Sequence, residues 1–295
     1  MIALFGPTAA GKSALAGVLR DRLGAEVVSA DSAALFENLP VLTAAPPYPA
    51  RLVGTVPLER NVSVGEYQHW AHAAVDEILE AGGLPMVVGG TGLYFRAALS
   101  NLAIPPPPTS EERARWQRVY DREGPEGAHA LLAERDPAAA GRVHANDRKR
   151  VVRALELAEA GRSLAPAEDL LWTAASRHPT LIVALDLPLE EVDRRIEQRT
   201  EAMAAGGAAD EARRAWAQPL SDTARKVLGL EQFATLPVSE AVAEVAQATK
   251  RLARYQQKWL RSLRGAVTLD GNRPAEEIAD EIIALGRTGE HLSRH

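Results

Sequence analysis

Short apolar runs separated by longer stretches of helical periodicity set the pattern of this chain. Ile2-Ala3-Leu4-Phe5, Glu26-Val27-Val28-Ser29, Leu84-Pro85-Met86-Val87-Val88 and Leu181-Ile182-Val183-Ala184-Leu185-Asp186 have the length of strands and little polar alternation. That is the signature of strands buried on both faces, as in a parallel sheet covered by helices. Residues 14–19, 66–81, 189–204, 208–217 and 239–264 carry the helical repeat, as does a closing segment from about 275. One more short strand is expected near Val267. In such a sheet ligands bind beyond the carboxyl ends of the strands. The loops at 6–13, 31–34 and 89–94 should therefore converge on one crevice.

The stretch before Leu181 is different in kind. Pro105 to Pro108 is a run of four prolines, which neither a helix interior nor a central strand accommodates. Beyond it, 109–122, 125–134 and 147–160 read as helices, with no strand pattern until Leu181. The predicted organisation is an α/β core of residues 1–104 and 179–290, interrupted by a helical insertion over 105–178.

Chemistry enters at the end of the first strand. Gly6-Pro7-Thr8-Ala9-Ala10-Gly11-Lys12-Ser13 is a full G-x-x-x-x-G-K-[ST] match with a strand before it and a helix after it. A loop of this kind turns its backbone N–H groups inward as an anion nest, and the following helix adds its positive end. Lys12 brings a mobile charge to the outer phosphates, and Ser13 brings a hydroxyl suited to Mg²⁺. Only five of the 34 basic residues are lysines, which makes this one informative. The core is therefore read as a P-loop NTPase-like parallel sheet. The motif specifies phosphate but no reaction, since ATPases, small-molecule kinases and diphosphate-releasing transferases all use it.

Composition narrows the classes further. With no cysteine, disulfides, a thiolate nucleophile and cysteine-ligated zinc are excluded. No apolar run reaches the roughly 18–20 residues of a membrane span, and Met1 leads straight into the first strand, so a cytoplasmic protein without a leader is expected. A monomer is the default. The net charge of −5 argues against a nucleic-acid partner, but its distribution does not. Arg142, Arg148, Lys149, Arg150 and Arg153 form one basic cluster, and Lys250, Arg251, Arg254, Lys258, Arg261 and Arg264 form another. On the second helix Leu252, Tyr255, Trp259 and Leu263 form an apolar stripe, read as core. His69 and His72, an i, i+3 pair, are read as surface residues without a third metal ligand.

Several segments then occur in a telling order: Gly6 to Ser13; Asp31-Ser32; Gly89-Gly90-Thr91-Gly92-Leu93-Tyr94; Asp136-Pro137 followed by His144-Ala145-Asn146-Asp147; Arg150 with Arg153-Ala154-Leu155-Glu156; and Thr249 through Arg261. In these the chain resembles the tRNA dimethylallyltransferases, also called tRNA isopentenyltransferases, along nearly its whole length. The resemblance implies transfer of a five-carbon group from dimethylallyl diphosphate to N6 of adenosine 37, beside the anticodon, with release of diphosphate. It implies Asp31 as general base, Thr91 near the reacting end, and Arg225 on the diphosphate, with Lys226 a neighbouring candidate. It further implies that Asp31, Ser32, Ala33, Ala34, Thr91, Arg113, Lys149, Arg150, Val151, Val152 and Arg153 meet the tRNA anticodon stem-loop. Taken alone, Asp31 also reads as the cap of a following helix and Thr91 as a turn residue.

The chain departs from the family pattern in places. Leu42-Thr43-Ala44-Ala45-Pro46 stands where Gly-Thr-Ala-Lys-Pro is usual, which removes a positive charge near substrate; Arg51 and Arg60 are the candidates to replace it. Ala145 stands for a proline and Tyr255 for an arginine. Two rival enzymes remain. The run from Leu185 through Arg195 and Arg199 resembles a passage of small-molecule P-loop kinases, and a transferase acting on free adenine nucleotides would share the loop. The basic insertion favours tRNA over both.

Overall fold

The computed structural model describes residues 1–165, 171 and 173–288. The chain begins with β1 (Ile2–Phe5), α1 (Lys12–Leu23), β2 (Ala25–Ser29), β3 (Ala50–Arg51), α2 (Val64–Glu80), β4 (Leu84–Gly89) and α3 (Gly92–Leu99). A helical stretch follows, of α4 (Ser110–Arg135), α5 (Pro137–Ala140) and α6 (Arg148–Glu159). The rest is β5 (Leu181–Asp186), α7 (Leu189–Ala205), α8 (Ala208–Trp216), α9 (Leu230–Thr235), α10 (Val238–Ser262), β6 (Val267–Asp270) and α11 (Ala275–Thr288).

The described strands form one six-stranded sheet in the order β3-β2-β4-β1-β5-β6, and all its pairs are parallel. The fold is α/β, as the unbroken apolar runs require. All four residues of β1 are buried, and Phe5 lies between Gly89 of β4 and Ala184 of β5. Burying a large apolar side chain of this kind contributes about 1.5–3 kcal/mol, and the edge-on contact of Phe5 with Phe95 adds about 1 kcal/mol. Every strand thus delivers its carboxyl end to the same rim of the sheet.

Contacts divide the chain into two units, Met1–Leu102 with Leu171–His295, and Ala103–Leu170. Residues 173–178, placed in the insertion by the sequence pattern, belong with the sheet: Arg177 N–H donates to Leu99 O and Ser100 Oγ to Ala175 O. In the second unit α4 opens with a capping box of Thr109 and Glu112, and bends where Gly124 leaves helical geometry ahead of Pro125. Trp116, Tyr120, Leu132, Val151 and Leu155 build its core.

Four elements escaped the pattern because local signals hid them. β3 is two residues long, α3 starts inside a glycine-rich run, α5 spans only Pro137–Ala140, and α9 spans only Leu230–Thr235. A correction concerns α10. Leu252 and Tyr255 are 38% and 55% exposed, so the stripe they form is not core. The buried side chains of α10 are instead Ala241, Val245, Ala246, Ala253, Gln256, Gln257 and Leu260. Two glutamines with hydrogen-bond partners occupy the inside, a choice that apolar periodicity cannot register.

Candidate active site

The loop from Gly6 to Ser13 carries β1 into α1, and its geometry is held from two distant helices. Thr8 N–H donates to Gln256 Oε1 on α10 at 2.7 Å, and Arg199 Nη1 on α7 donates to Thr8 Oγ1 at 2.8 Å. Lys12 folds over the loop, its Nζ donating to Gly6 O at 2.9 Å and Pro7 O at 2.7 Å. Burial drives its pKa down from 10.5 to about 8; the charge of Asp31 opposes that shift and Arg199 adds to it. Burial likewise lowers the pKa of Arg199.

Asp31 follows β2. No helix comes after it, so it caps none. Its Oδ1 accepts Ala33 N–H at 2.9 Å in a tight turn, while its own N–H approaches Ser29 Oγ at 3.3 Å. Thr91 begins the segment after β4, and its Oγ1 accepts Ser32 N–H at 3.5 Å, which ties the two rims together. The glycines around Thr91 are required by close approach. A Cβ at Gly90 would stand 2.6 Å from Gln256 Nε2 and 2.7 Å from Gly6 O. At Gly89 it would overlap the Ala30 carbonyl, and at Gly92 the indole of Trp259.

These rims enclose a cavity of about 120 Å³ lined by Thr8, Lys12, Ser13, Asp31, Arg199 and Gln256, among others. The segment 43–46 forms another part of its wall and brings Thr43, Ala44, Ala45 and Pro46, without a cation. Neither replacement expected for the absent lysine is there. Arg51 pairs with Glu26 and Glu77, and Arg60 pairs with Glu66 and covers the Trp70 ring. Tyr48 lines the cavity and donates to Ser13 O at 2.8 Å.

The structure therefore brings together the loop, Asp31 and Ala34 at the cavity, with Ser32 and Thr91 adjoining. Arg225 is exposed, stacked at 5.1 Å over the Trp216 ring, and is not among the cavity's lining residues. In the second unit Lys149 and Arg150 are exposed. Arg153 donates to Pro105 O and Pro106 O, and Glu156, itself buried, pairs with both Arg113 and Arg153. Val151 and Val152 point into that unit's core and offer no side chain to a ligand, because the helical repeat turns them away from Lys149 and Arg150. His69 is exposed, but His72 is not a surface residue: it is half-buried and its Nε2 bonds Ala97 O at 2.9 Å. Sequence reasoning missed Gln256 and Tyr48 as site residues. It did mark Arg199, though only as part of the kinase-like passage.

Lys12 gives the site a pH dependence. It is protonated below about pH 8 and loses its charge above it. Affinity for inorganic pyrophosphate, corrected for the ligand's own titration, is expected to fall roughly tenfold per pH unit above 8 in calorimetric titrations. The sign for stability is opposite. With a folded pKa of about 8 below the ordinary 10.5, the unfolded chain binds more protons between those values, so this residue's contribution makes the fold more stable as pH rises through that window.

A family model described as IPP transferase matches residues 34–263. A tRNA dimethylallyltransferase from Acidothermus cellulolyticus is 41% identical over 276 residues, covering 88% of this chain and 86% of that protein. Another from Anaeromyxobacter dehalogenans is 37% identical over 295 residues, covering 96% and 98%. The crystal structure of the full-length tRNA isopentenylpyrophosphate transferase from Bacillus halodurans superposes with a TM-score of 0.70 at 25% identity, over 98% of this chain and 95% of that one. A eukaryotic dimethylallyltransferase acting on tRNA shares the fold, with a TM-score of 0.79 at 20% identity over 100% of this chain and 81% of that one.

Proposed function

The chain belongs to the IPP transferase family, as a relative of the tRNA dimethylallyltransferases, and from that premise we propose how its cavity performs the transfer. The donor is dimethylallyl diphosphate and the acceptor is N6 of the adenosine beside the anticodon, position 37. The observation that carries this reading is that Lys12 and Asp31 share one cavity. A carboxylate beside the lysine adds nothing to direct contact with an anion, which it repels. A transfer that releases both a proton and a diphosphate uses both.

The N6 lone pair forms a bond to C1 of the dimethylallyl group as the bond from C1 to the diphosphate oxygen breaks, and that electron pair leaves with the diphosphate. The N6 proton passes to the Asp31 carboxylate. Lys12 and the N–H groups of the loop hold the departing charge, in a setting where they need no reorganisation. Thr91, bonded to Ser32 N–H, keeps the rim of β4 against the turn that carries Asp31. The donor set also fits Mg²⁺. Ser13 presents one hydroxyl in the cavity, and no cluster of three acidic or histidine ligands occurs among the described residues. Mg²⁺ normally takes few protein ligands and completes its shell with phosphate oxygens and water. Bound there, it supplies positive charge to the diphosphate oxygens, with Ser13 as its ligand from the chain.

A base in a stacked loop reaches such a cavity only after leaving its stack. We assign the RNA backbone to the exposed basic residues Arg148, Lys149 and Arg150 of α6, where charge and not shape sets the affinity. No helix among the described residues is long and apolar enough to cross a membrane.

The test incubates the protein and Mg²⁺ with radiolabelled dimethylallyl diphosphate and unmodified tRNA carrying an adenosine at position 37. Label is expected in the RNA. Label passing to AMP instead, or phosphate passing from ATP to a small molecule, overturns the RNA assignment.

A further inference from the structure

Asp31 is aimed by the backbone that leads to it, and that backbone is held from α2. The capping box of Ser63 and Glu66 fixes the first turn of this helix, and Tyr67 follows directly, its N–H donating to Ser63 O. Tyr67 is fully buried, and its hydroxyl donates to Ser29 O at 2.9 Å. Burial raises the pKa of this phenol, with Tyr94 and the charge of Asp31 adding to the shift, so it remains a neutral donor. Ser29 O and Ala30 N–H are the two ends of one peptide unit. The N–H end donates to Val88 O of β4 at 2.7 Å. A planar unit bonded at both ends cannot rotate without breaking a bond, and the next N–H, that of Asp31, faces Ser29 Oγ. The ring of Tyr67 also meets that of Tyr94, three residues after Thr91, with centroids 4.4 Å apart. One side chain thus touches both the rim that carries Asp31 and the rim that carries Thr91.

We propose that Tyr67 is a positioning residue for the transfer: its hydroxyl fixes the peptide between Ser29 and Ala30, and through it the direction in which Asp31 faces the acceptor N6. The inference rests on the reading of Asp31 as the base. Burying a hydroxyl costs free energy unless a partner meets it, and the partner here is a backbone carbonyl two residues before the carboxylate. A proton passes efficiently only over a short, aligned hydrogen bond. A small rotation of that peptide therefore misplaces the base while leaving the anion loop as it is. Phenylalanine at this position keeps a ring against Tyr94 and removes the oxygen alone, which releases one end of the peptide.

The test is single-turnover prenylation of unmodified tRNA by wild type, Tyr67→Phe, Asp31→Asn and the double variant, each assayed below its unfolding transition by circular dichroism. Tyr67→Phe is expected to be about tenfold slower than wild type, with pyrophosphate affinity and KM for dimethylallyl diphosphate unchanged to within about twofold. In the Asp31→Asn background the same substitution should change the rate by less than about twofold, because an amide takes no proton wherever it points. If Tyr67→Phe is as fast as wild type, Tyr67 serves only the core and the inference fails alone. If the loss persists in full without the carboxylate, or comes with an equal loss of pyrophosphate affinity, Tyr67 acts through something other than Asp31 and the proposal is overturned. If wild type leaves the RNA unlabelled, the reading of Asp31 as base fails and takes this one with it. Should Tyr67→Phe not fold, 4-fluorophenylalanine, which fills the place of the hydroxyl and donates no proton, replaces it in the same cycle and is judged by the same outcomes.

Discussion

Replacing Asp31 by asparagine is expected to lower the turnover of RNA prenylation by about 1,000-fold while pyrophosphate affinity stays within a few-fold of wild type. The substitution isolates the proton-accepting role. Asparagine keeps an Oδ1 to accept Ala33 N–H, so the turn that presents residue 31 survives, and the loop that holds the diphosphate is untouched. What disappears is a group able to accept the N6 proton as the new bond forms. Three decades of rate correspond to about 4 kcal/mol of barrier, within the range that one positioned base provides. Single-turnover measurement of labelled RNA separates this loss from changes in binding or product release. A drop of less than tenfold would mean that water takes the proton and that Asp31 serves only the geometry of its turn. The same variant carries a second signature. Asp31 holds the Lys12 pKa up against burial and Arg199, so its removal should move the alkaline loss of pyrophosphate affinity to lower pH.

The sheet was legible in the sequence because parallel strands buried on both faces leave unbroken apolar runs. Ile2–Phe5 and Leu181–Asp186 stand at the boundaries that their composition marks. The loop was legible because its chemistry is contiguous: strand, glycines, lysine and helix lie within a single short stretch. Asp31 and Thr91 needed the family pattern, since an acidic residue after a strand and a threonine among glycines each have ordinary structural uses. The support of the loop was not legible for a different reason. Arg199 lies 191 residues from Thr8 and Gln256 lies 248 residues from it, and nothing in the local spacing of α7 or α10 announces those bonds. The misread stripe on α10 has the same origin. Gln256 and Gln257 are buried because Thr8 N–H and Leu187 O are there to meet them, a fact of tertiary structure that displaces Leu252 and Tyr255 to the surface. Beside its apolar contacts, α10 is thus held by polar and aromatic side chains: Gln256 at a loop amide, Gln257 at the Leu187 carbonyl and Trp259 against Gly92.

That arrangement makes Gly92→Ala a severe substitution, although it adds a single methyl group at the start of a helix, where alanine is otherwise favoured. The added Cβ would overlap the Trp259 indole, and neither the α3 backbone nor a ring packed against it moves without disturbing α10. We expect a loss of about 3 kcal/mol, or a fall in Tm of roughly 6–10 °C, at the upper end of what overpacking produces in a chain of this size. Function should suffer beyond stability. One helical turn before Trp259, Gln256 accepts the Thr8 N–H, so pushing α10 away from Gly92 loosens the anion loop as well. Pyrophosphate affinity of the folded variant is therefore expected to weaken alongside its Tm. The pair can be checked by a double-mutant cycle. Trp259→Ala alone is expected to cost about 2 kcal/mol through lost packing. With the ring removed, however, the methyl at position 92 has nothing to collide with, so Gly92→Ala/Trp259→Ala should be little less stable than Trp259→Ala. Additive losses in the double variant would sink the steric explanation and return the glycine requirement to the backbone of the Gly-Gly-Thr-Gly segment itself.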